Sequence, residues 1–491
     1  MILDNSTLGE IFSPLDDAEE REAASSGHRA SATRRPLHTV YGGAHLFEAT
    51  TARKLGRWAL RHFDHYFPTF VDLAEALELR GFESLPRPDD PRLAVLARLE
   101  QDPLTVDEAD LGTFLAASVY RRVRAKLVEQ PVEDYRIDFE QGLGRRDDEE
   151  EDDLARQAAQ EVAFGLEAGS LPPRLGLRLR SFRGAGRRRS ARTLDLFFTE
   201  LAERCAALDV ETSMPSEFTV ALPRASSVHE IEALAHMLEL VERHLGLVGG
   251  ALRIELTIDS PDALLDGAGR HRLPSLLDAS AGRCSSVHLD LHDYAAACDI
   301  VSTEHGPRHP SCDHARHVIK ASLAGRPVDL VDGPSHHLPI APYRQASGGP
   351  PLTEREERRN RWMVHRVSKL NHDDIRHALT LGVYRGWDLH PAQLPIRYAA
   401  VYSFFLERLR DSTRRLRSAI DRALHVARPA GRFEDEASSR GLLAFFRRGY
   451  TCGALSEDDI VAAGLSVAEL AQPSLRAALE ARRHGLDAAD D

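Results

Sequence analysis

The chain has 491 residues, of which 42% are apolar, so it can bury a sizeable core and is too long for one ordinary domain. Its net charge of −13 leaves no basic excess for phosphates and disfavours nucleic acid as the main partner. No apolar run reaches the roughly 18 residues of a membrane helix, so no membrane association is expected. The five cysteines form no CxxC pair, which predicts reduced thiols in a cytoplasmic protein.

Eight short β-like runs alternate with helical patterns along most of the chain. They are predicted at residues 37–41, 135–140, 175–182, 218–223, 252–258, 286–294, 328–331 and 384–390. Alternating strands and helices are typical of a parallel sheet, and eight such units favour a closed (β/α)8 barrel, the TIM barrel, over an open sheet. No GxGxxG or GxxxxGK[ST] segment occurs to favour a nucleotide-binding fold.

The barrel is predicted over residues 36–427, after a flexible N-terminal segment at 1–35 that lacks the pattern of a secretory signal. A long helical insertion is predicted at about 42–131, between the first two strands. Residues 428–491 are predicted to form a helical C-terminal extension, with short amphipathic helices at 442–446 and 460–470. A capping box formed by Ser227 and Glu230 is predicted to begin the helix after the fourth strand.

Charged side chains gather at the predicted carboxyl ends of the strands, where barrel enzymes keep their active sites. These residues are Asp138, Glu140, Arg178, Arg180, Arg224, Asp259, Asp293, Asp388 and His390. Carboxylates from several strands would repel one another, so a cation is expected among them, and hard oxygen ligands suit Mg²⁺ or Mn²⁺. The arginines suit an anionic substrate, because guanidinium binds carboxylate or phosphate bidentately. A single acidic residue at a strand end can instead cap a helix, and Arg178 or Arg180 can instead form a structural ion pair.

Two other chemistries are disfavoured by residue placement. His288 and His292, placed on one face of the sixth strand, could belong to a zinc hydrolase, but no HExxH spacing occurs and no GxSxG elbow points to a serine hydrolase. All four lysines, Lys54, Lys126, Lys320 and Lys369, fall in predicted helices. A Schiff-base mechanism needs a lysine at a strand end, so the sequence favours a metal-stabilised enolate.

Six strand-end segments together resemble the HpcH/HpaI aldolase and citrate lyase β-subunit superfamily, the phosphoenolpyruvate/pyruvate barrel group. The segments are RIDFE at 136–140, LRLR at 177–180, ALPR at 221–224, ELTID at 255–259, LHDY at 291–294 and LHPAQ at 389–393. They are similar to the group's DLED, RVN, LPK and IET strands, its second metal-carboxylate strand and its IHPxQ segment, in that order. Asp259 stands where the group has Glu and Arg224 where it has Lys, which indicates a divergent aldolase-like branch.

The resemblance implies Mg²⁺ bound by Asp259 and Asp293, with Arg178 clamping the substrate carboxylate. It also implies a 2-oxo acid or acyl-CoA thioester whose carbon–carbon bond is cleaved or formed through an enolate. Glu140 or Asp138 would orient metal-bound water. Arg180 and Arg224 are further substrate-binding candidates, and His390 and Asp388 are candidates for the general base.

Three hypotheses follow. The first is a cytoplasmic, Mg²⁺-dependent carbon–carbon lyase that assembles into a homo-oligomer, as barrels of this group usually do. The second is an enzyme that converts phosphoenolpyruvate, by phosphoryl transfer or otherwise, with the same metal and arginines. The third is a metabolite-binding barrel with a degraded site, which the changes at Asp259 and Arg224 motivate.

Overall fold

The computed structural model describes residues 35–86, 111–210, 217–424 and 436–487, together with Ser13. Eight parallel strands form a closed barrel in the order β1 to β8, which confirms the predicted (β/α)8 fold. The strands are β1 His38–Gly43, β2 Asp134–Asp138, β3 Arg174–Arg178, β4 Thr219–Leu222, β5 Arg253–Ile258, β6 Cys284–Leu289, β7 Asp329–Asp332 and β8 Arg385–Asp388.

Helices follow the strands and surround the barrel. Those of the insertion between β1 and β2 are α1 Thr51–Tyr66, α2 Phe70–Leu77 and α3 Leu111–Glu129. The barrel helices are α4 Asp148–Glu167, α5 Gly186–Ala207, α6 Val228–Leu245, α7 Leu273–Ala279, α8 Leu291–Ala297, α9 Pro310–Ser322, α10 Glu354–Thr380 and α11 Leu394–Leu424. The C-terminal helices are α12 Glu436–Thr451, α13 Glu457–Ala462, α14 Val467–Leu470 and α15 Leu475–Asp487. No helix in these described parts is long and apolar enough to cross a membrane.

The chain divides into two compact units. One comprises Pro36–Ser322 with Val328–Phe404 and contains the barrel. The other contains Leu323–Pro327 and the described residues from Phe405 onward, and it includes Arg35, whose backbone N–H donates to the carbonyl of Thr451 over 3.1 Å. The predicted boundary between 427 and 428 lies outside the described residues, as does nearly all of the predicted N-terminal segment at 1–35.

The sixth strand is shorter than predicted. It ends at Leu289, and Asp290 then accepts the backbone N–H of Asp293 over 3.3 Å and so caps α8. His292 and Asp293 therefore lie on the first turn of a helix, and placing them on the strand was wrong. The third strand likewise ends at Arg178, so Arg180 lies in the following loop and not on the strand face that Arg178 occupies.

Two helix details also differ from the prediction. The Ser227 side chain forms no cap hydrogen bond, and Glu230 Oε2 is buried without a hydrogen-bond partner among the described residues, so the predicted capping box is wrong. The helix predicted at 460–470 is two helices, α13 and α14. They are separated at Gly464, whose φ of 92° a residue with a side chain rarely adopts.

The barrel interior is filled largely by polar side chains, whereas such barrels usually pack branched apolar residues there. The inward-facing members of this interior network are the half-buried Tyr41 and the buried Thr39, Asp134, Arg136, Glu255, Ser286, His288 and Arg385. Gly176 provides room for one of them: a Cβ at this position would lie 3.1 Å from Cδ of Arg136 and 2.0 Å from the carbonyl oxygen of Thr219.

The charges of the interior network balance one another. Arg136 pairs with Asp134 and, over 2.9 Å, with Glu255, while Arg385 also pairs with Asp134. Burial would raise the pKa of Glu255, but the guanidinium of Arg136 and the imidazole of His288 hold that pKa well below its usual range. Two guanidinium groups thus face two carboxylates, which is the condition under which charges can be buried without a large penalty.

Candidate active site at the carboxyl ends of the barrel strands

Arg178, the last residue of β3, lies at the centre of the barrel mouth. Its guanidinium carbon lies 5.3 Å from the ring centroid of Tyr41 and 5.4 Å from that of Trp387, within cation–π distance of both. Its Nη2 is 3.1 Å from Glu140 Oε2, and its Nη1 is 3.7 Å from Asp138 Oδ2. The residue is only 2% exposed, yet Nε and Nη1 have no hydrogen-bond partner among the described residues.

Such unsatisfied nitrogen atoms are uncommon in buried arginines, because an unpaired buried donor is costly. Burial would lower the pKa of Arg178, but the carboxylates of Asp138 and Glu140 raise it, so the group is a permanent cation. The aromatic rings hold the guanidinium without using its N–H groups. Arg178 can therefore offer two donors to an anionic ligand.

Asp138 has a local structural role. Its Oδ1 accepts the backbone N–H of Glu140 over 2.7 Å, and its Oδ2 accepts that of Gly142 over 2.9 Å. A Cβ at Gly142 would lie 2.9 Å from Oδ2, so glycine lets the loop approach this closely. Asp138 thereby fixes the loop that carries Glu140 toward Arg178.

Glu140 is the carboxyl group nearest to Arg178. Burial raises its pKa, while Arg178 and Arg224 oppose the rise. Its Oε2 forms the ion pair with Arg178 but accepts no well-aligned hydrogen bond from the residues described. A carboxyl group with a raised pKa in a concave site is suited to proton transfer.

An acidic cluster at the barrel mouth consists of Asp259, which follows β5, and of Asp290 and Asp293, which follow β6. Burial raises the pKa of Asp259, and the charge of Asp293 raises it further, while Arg224 opposes both. Burial and the charge of Asp293 also raise the pKa of Asp290 to about 6. The structure therefore brings the two predicted metal ligands, Asp259 and Asp293, within electrostatic reach of each other.

This acidic cluster fits a hard divalent cation held by few protein ligands. Among the described residues, no group of three or more His, Cys, Asp or Glu side chains is arranged to hold a metal ion. Mg²⁺, however, is usually held by one or two carboxylates together with water and substrate oxygen atoms. Asp259 and Asp293 can supply those two carboxylates, and a cation between them would offset the repulsion that raises the pKa of Asp259.

Arg224 is placed by a strained backbone. Its φ is 55°, a left-handed conformation uncommon for a residue with a side chain. Its Nε lies 3.7 Å from Asp259 Oδ2, and 45% of the side chain is exposed. Arg224 thus adds a partly exposed positive charge at the edge of the acidic cluster.

Three predicted site residues are engaged elsewhere. Arg180 donates to Glu151 over 2.6 and 2.9 Å and so joins the loop after β3 to α4. Asp388 accepts from Arg397 with both oxygen atoms, over 2.6 and 2.8 Å. His390 accepts the backbone N–H of Ala392 with Nδ1, and its ring packs edge-on against Trp58, 4.7 Å between centroids. None of the three forms a hydrogen bond or ion pair with Arg178, Asp259 or Asp293 among the contacts described.

Sequence reasoning missed Tyr41, Trp387 and the interior network. The signal was present in β2, where Asp134, Arg136 and Asp138 alternate with apolar residues. We interpreted polar positions in a strand as features of its carboxyl end only. In a closed barrel, one of the two alternating faces points into the interior, so a polar series along it predicts a polar interior.

The fold and the mouth define a TIM barrel with an arginine and an acidic cluster at the carboxyl ends of its strands. The chain belongs to the family described as Domain of unknown function (DUF6986), whose model matches residues 17–478. No curated protein matches the chain in sequence.

Several solved structures are similar in fold. A citrate lyase from Burkholderia xenovorans has a TM-score of 0.47 and 19% identity, covering 70% of this chain and 91% of its own. A malate synthase from Haloferax volcanii, in a lead(II) complex, has a TM-score of 0.39 and 15% identity, covering 73% and 80%. The citrate lyase β subunit from Mycobacterium tuberculosis, with oxaloacetate and magnesium, has a TM-score of 0.33 and 14% identity, covering 58% and 93%.

Proposed function

We propose that the barrel mouth is the active site of a Mg²⁺- or Mn²⁺-dependent carbon–carbon lyase of citrate lyase type. Its substrate would be a small 2-oxo acid or an acyl-CoA thioester. The proposal rests on two features that both lie at the barrel mouth. Arg178 has buried, unpartnered donors, and the acidic cluster contains two carboxylates suited to a divalent cation.

The substrate carboxylate would bind Arg178 at Nε or Nη1, because neither atom has a hydrogen-bond partner among the described residues. Tyr41 and Trp387 would keep the guanidinium plane fixed from the ring side. Fixing the donor plane before binding reduces the entropy lost when the substrate is positioned. Trp387 Nε1 is also buried without a partner among the described residues, so it is a third donor available near the substrate.

Asp259 and Asp293 would hold the metal ion. When bound, such an ion polarises a carbonyl group and stabilises negative charge that develops on its oxygen. Arg224 neutralises part of the charge of Asp259 and, with 45% of its side chain exposed, could also contact a substrate anion. The described strand ends carry no lysine, so nothing in them supports imine chemistry.

Glu140 is the residue that we assign to proton transfer. Its Oε2 is buried beside Arg178, and burial raises its pKa above that of an ordinary glutamate, which suits a group that accepts and returns a proton. Asp138 would position Glu140 through its two hydrogen bonds to the loop backbone. We prefer this assignment to His390 and Asp388, because both oxygen atoms of Asp388 accept from Arg397 and Nδ1 of His390 accepts from the backbone of Ala392.

Calorimetric titration with MgCl₂ and MnCl₂ tests the metal site. The wild type should bind one ion, and Asp293→Asn should weaken binding at least about 10-fold, because one of two charged ligands is lost. Asp299→Asn is the matched control: it removes the same charge at an exposed position whose φ of 59° asparagine tolerates. Equal binding by the wild type and Asp293→Asn would rule out this metal site.

Product analysis tests the reaction. The protein with Mg²⁺ should cleave or form a carbon–carbon bond in at least one member of a panel of 2-oxo acids and acyl-CoA thioesters. Conversion of phosphoenolpyruvate with release or transfer of its phosphoryl group would instead support the second hypothesis. Thermal stabilisation by a 2-oxo acid without turnover of any compound would contradict the lyase and leave a metabolite-binding barrel.

A further inference from the structure

A second pocket lies beside the barrel mouth, in the same compact unit. It is bounded by α1, by the segment at 340–345 that follows β7, and by the first turns of α10, and its volume is about 820 Å³. We call it the α1–α10 pocket. Its size is in the upper part of the range of small-molecule sites, roughly 300–1,000 Å³. Trp58 in its wall packs against His390, which follows β8, so the pocket borders the carboxyl ends of the strands.

The pocket wall is positively charged although the chain as a whole carries a net charge of −13. It contains four arginines and two glutamates, namely Arg61, Arg344, Arg358, Arg361, Glu354 and Glu357. Arg358 pairs with Glu354 over 3.3 Å. Arg61 and Arg344 take part in no ion pair among the described residues, and both are exposed. Two guanidinium groups without an ion pair among the described residues, in a wall with more arginines than glutamates, favour a ligand with phosphate or carboxylate groups.

Aromatic rings accompany the arginines. Trp58, Tyr66 and Tyr343 line the pocket, and the ring of Tyr343 is 44% exposed. The backbone of Tyr343 is anchored to α10, because the Asn360 side chain accepts its N–H over 2.9 Å and donates to its carbonyl over 3.0 Å. Asn360 is itself only 5% exposed. The backbone that carries the ring is therefore anchored, and the exposed ring is accessible for stacking on a planar group.

His62 provides a buried polar group in the same wall. It is 8% exposed, stacks on Trp58 with ring centroids 5.1 Å apart, and contacts Tyr66 at 4.8 Å. Its Nε2 has no hydrogen-bond partner among the described residues. Burial, with the charges of His390 and His65, lowers the pKa of His62 to about 3, so the ring is neutral near pH 7. A neutral ring nitrogen left unpartnered in a cavity is available to a polar ligand atom.

We propose that the α1–α10 pocket binds a phosphorylated aromatic ligand of the nucleotide class. The aromatic base would stack on Tyr343 or Trp58, with His62 Nε2 hydrogen-bonding to one of its polar atoms. The phosphate groups would bind Arg61 and Arg344. This proposal is independent of the reaction at the barrel mouth, because it rests only on residues of this pocket.

Calorimetry with ADP, ATP, coenzyme A, adenosine and inorganic pyrophosphate tests the ligand class. A compound carrying both a base and phosphates should bind at least 10-fold more tightly than adenosine or pyrophosphate, since each of these offers only half of the contacts. Absence of binding by ADP, ATP and coenzyme A up to millimolar concentration would overturn the proposal. Tighter binding of coenzyme A than of ATP would indicate that the ligand of the pocket is coenzyme A or its thioester. The reverse order would indicate that the ligand is a free nucleotide.

Substitutions in the α1–α10 pocket test whether the nucleotide binds there. Arg61→Glu and Arg344→Glu should each weaken the nucleotide at least 10-fold, whereas Arg57→Glu, which makes the same charge change at an exposed position of α1 outside the pocket, should change it less than 2-fold. Nucleotide binding should also change tryptophan emission in the wild type and not in Trp58→Phe. Circular dichroism and the thermal midpoint would confirm that each variant is folded. Binding that Arg61→Glu and Arg344→Glu leave intact would refute this site.

Discussion

The guanidinium of Arg178 lies over the ring of Trp387, 5.4 Å from its centroid, and neither Nη1 of the arginine nor Nε1 of the indole has a hydrogen-bond partner among the described residues. The two side chains thus leave two buried donors without hydrogen-bond partners among the described residues of the barrel mouth. We expect Arg178→Lys to lower kcat/KM for the substrate of the proposed lyase by about 10²–10³-fold, because lysine keeps the charge and loses the planar fork. Steady-state kinetics on purified variants would measure this.

Arg180→Lys is the control for that substitution. Arg180 is two residues away and pairs with Glu151 outside the mouth, so its replacement should leave kcat/KM within about 3-fold of the wild type. Equal losses in the two variants would show that Arg178 acts through stability and not through substrate binding.

The hydroxyl of Tyr41 is a structural link in the interior network. It donates to Glu255 Oε1 and lies 2.9 Å from His288 Nδ1. Tyr41→Phe should lower the free energy of unfolding by about 1–3 kcal/mol, because it leaves both partners buried with one contact fewer. Urea denaturation followed by circular dichroism would measure the change. Tyr120→Phe, which removes an exposed hydroxyl that donates to the carbonyl of Pro68, should change it by less than about 1 kcal/mol.

Arg136 is the most connected cation of the interior network. Arg136→Met should lower the free energy of unfolding by about 3–5 kcal/mol, since Asp134 and Glu255 would remain charged and buried. Adding Glu255→Gln should recover part of the loss, because one uncompensated charge is removed. Arg270→Met breaks an exposed pair with Asp266 and should cost about 1 kcal/mol or less by the same measurement. A loss for Arg136→Met no larger than that for Arg270→Met would contradict a charge-balanced interior.

His62 should make the fold sensitive to acid. Its pKa is about 3 in the folded protein and near 6.5 when unfolded, so between these values the unfolded chain binds more protons and stability falls as pH falls. His62→Phe should therefore lose less stability than the wild type between pH 6.5 and 4, with a slope difference of about 1 kcal/mol per pH unit. Urea denaturation at several pH values tests this. His229→Phe, at a side chain that is 86% exposed, should leave the slope unchanged.

The eight-fold alternation of strands and helices was enough to predict the barrel, because it depends on local periodicity that packing preserves. The end of β6 was not predictable in the same way. Asp290, Leu291 and His292 continue the polar–apolar alternation of a strand, and the same residues can begin a helix. The hydrogen bond from the Asp293 N–H to the Asp290 carboxylate favours the helix, and two residues of strand pattern cannot outweigh it.

The candidate site was only partly predictable, since the sequence gives residue types at strand ends but not their partners. Arg178 and the acidic cluster could be predicted because parallel strands bring their carboxyl ends together. Asp388 also lies at the end of a strand, but both of its carboxylate oxygen atoms accept hydrogen bonds from Arg397 on the next helix. Tyr41 and Trp387 looked like ordinary strand aromatics, and only the closed barrel shows that both face one guanidinium.

The balanced charges inside the barrel restrict how this protein can change over time. A replacement at Asp134, Arg136, Glu255 or Arg385 alone would leave an uncompensated ion in a place that water does not reach. A sequence of substitutions that changes the barrel interior must therefore replace oppositely charged residues in pairs, or pass through an intermediate that folds poorly. For the same reason, an engineer who transplants this mouth onto another barrel would have to transfer the layer beneath it as one unit.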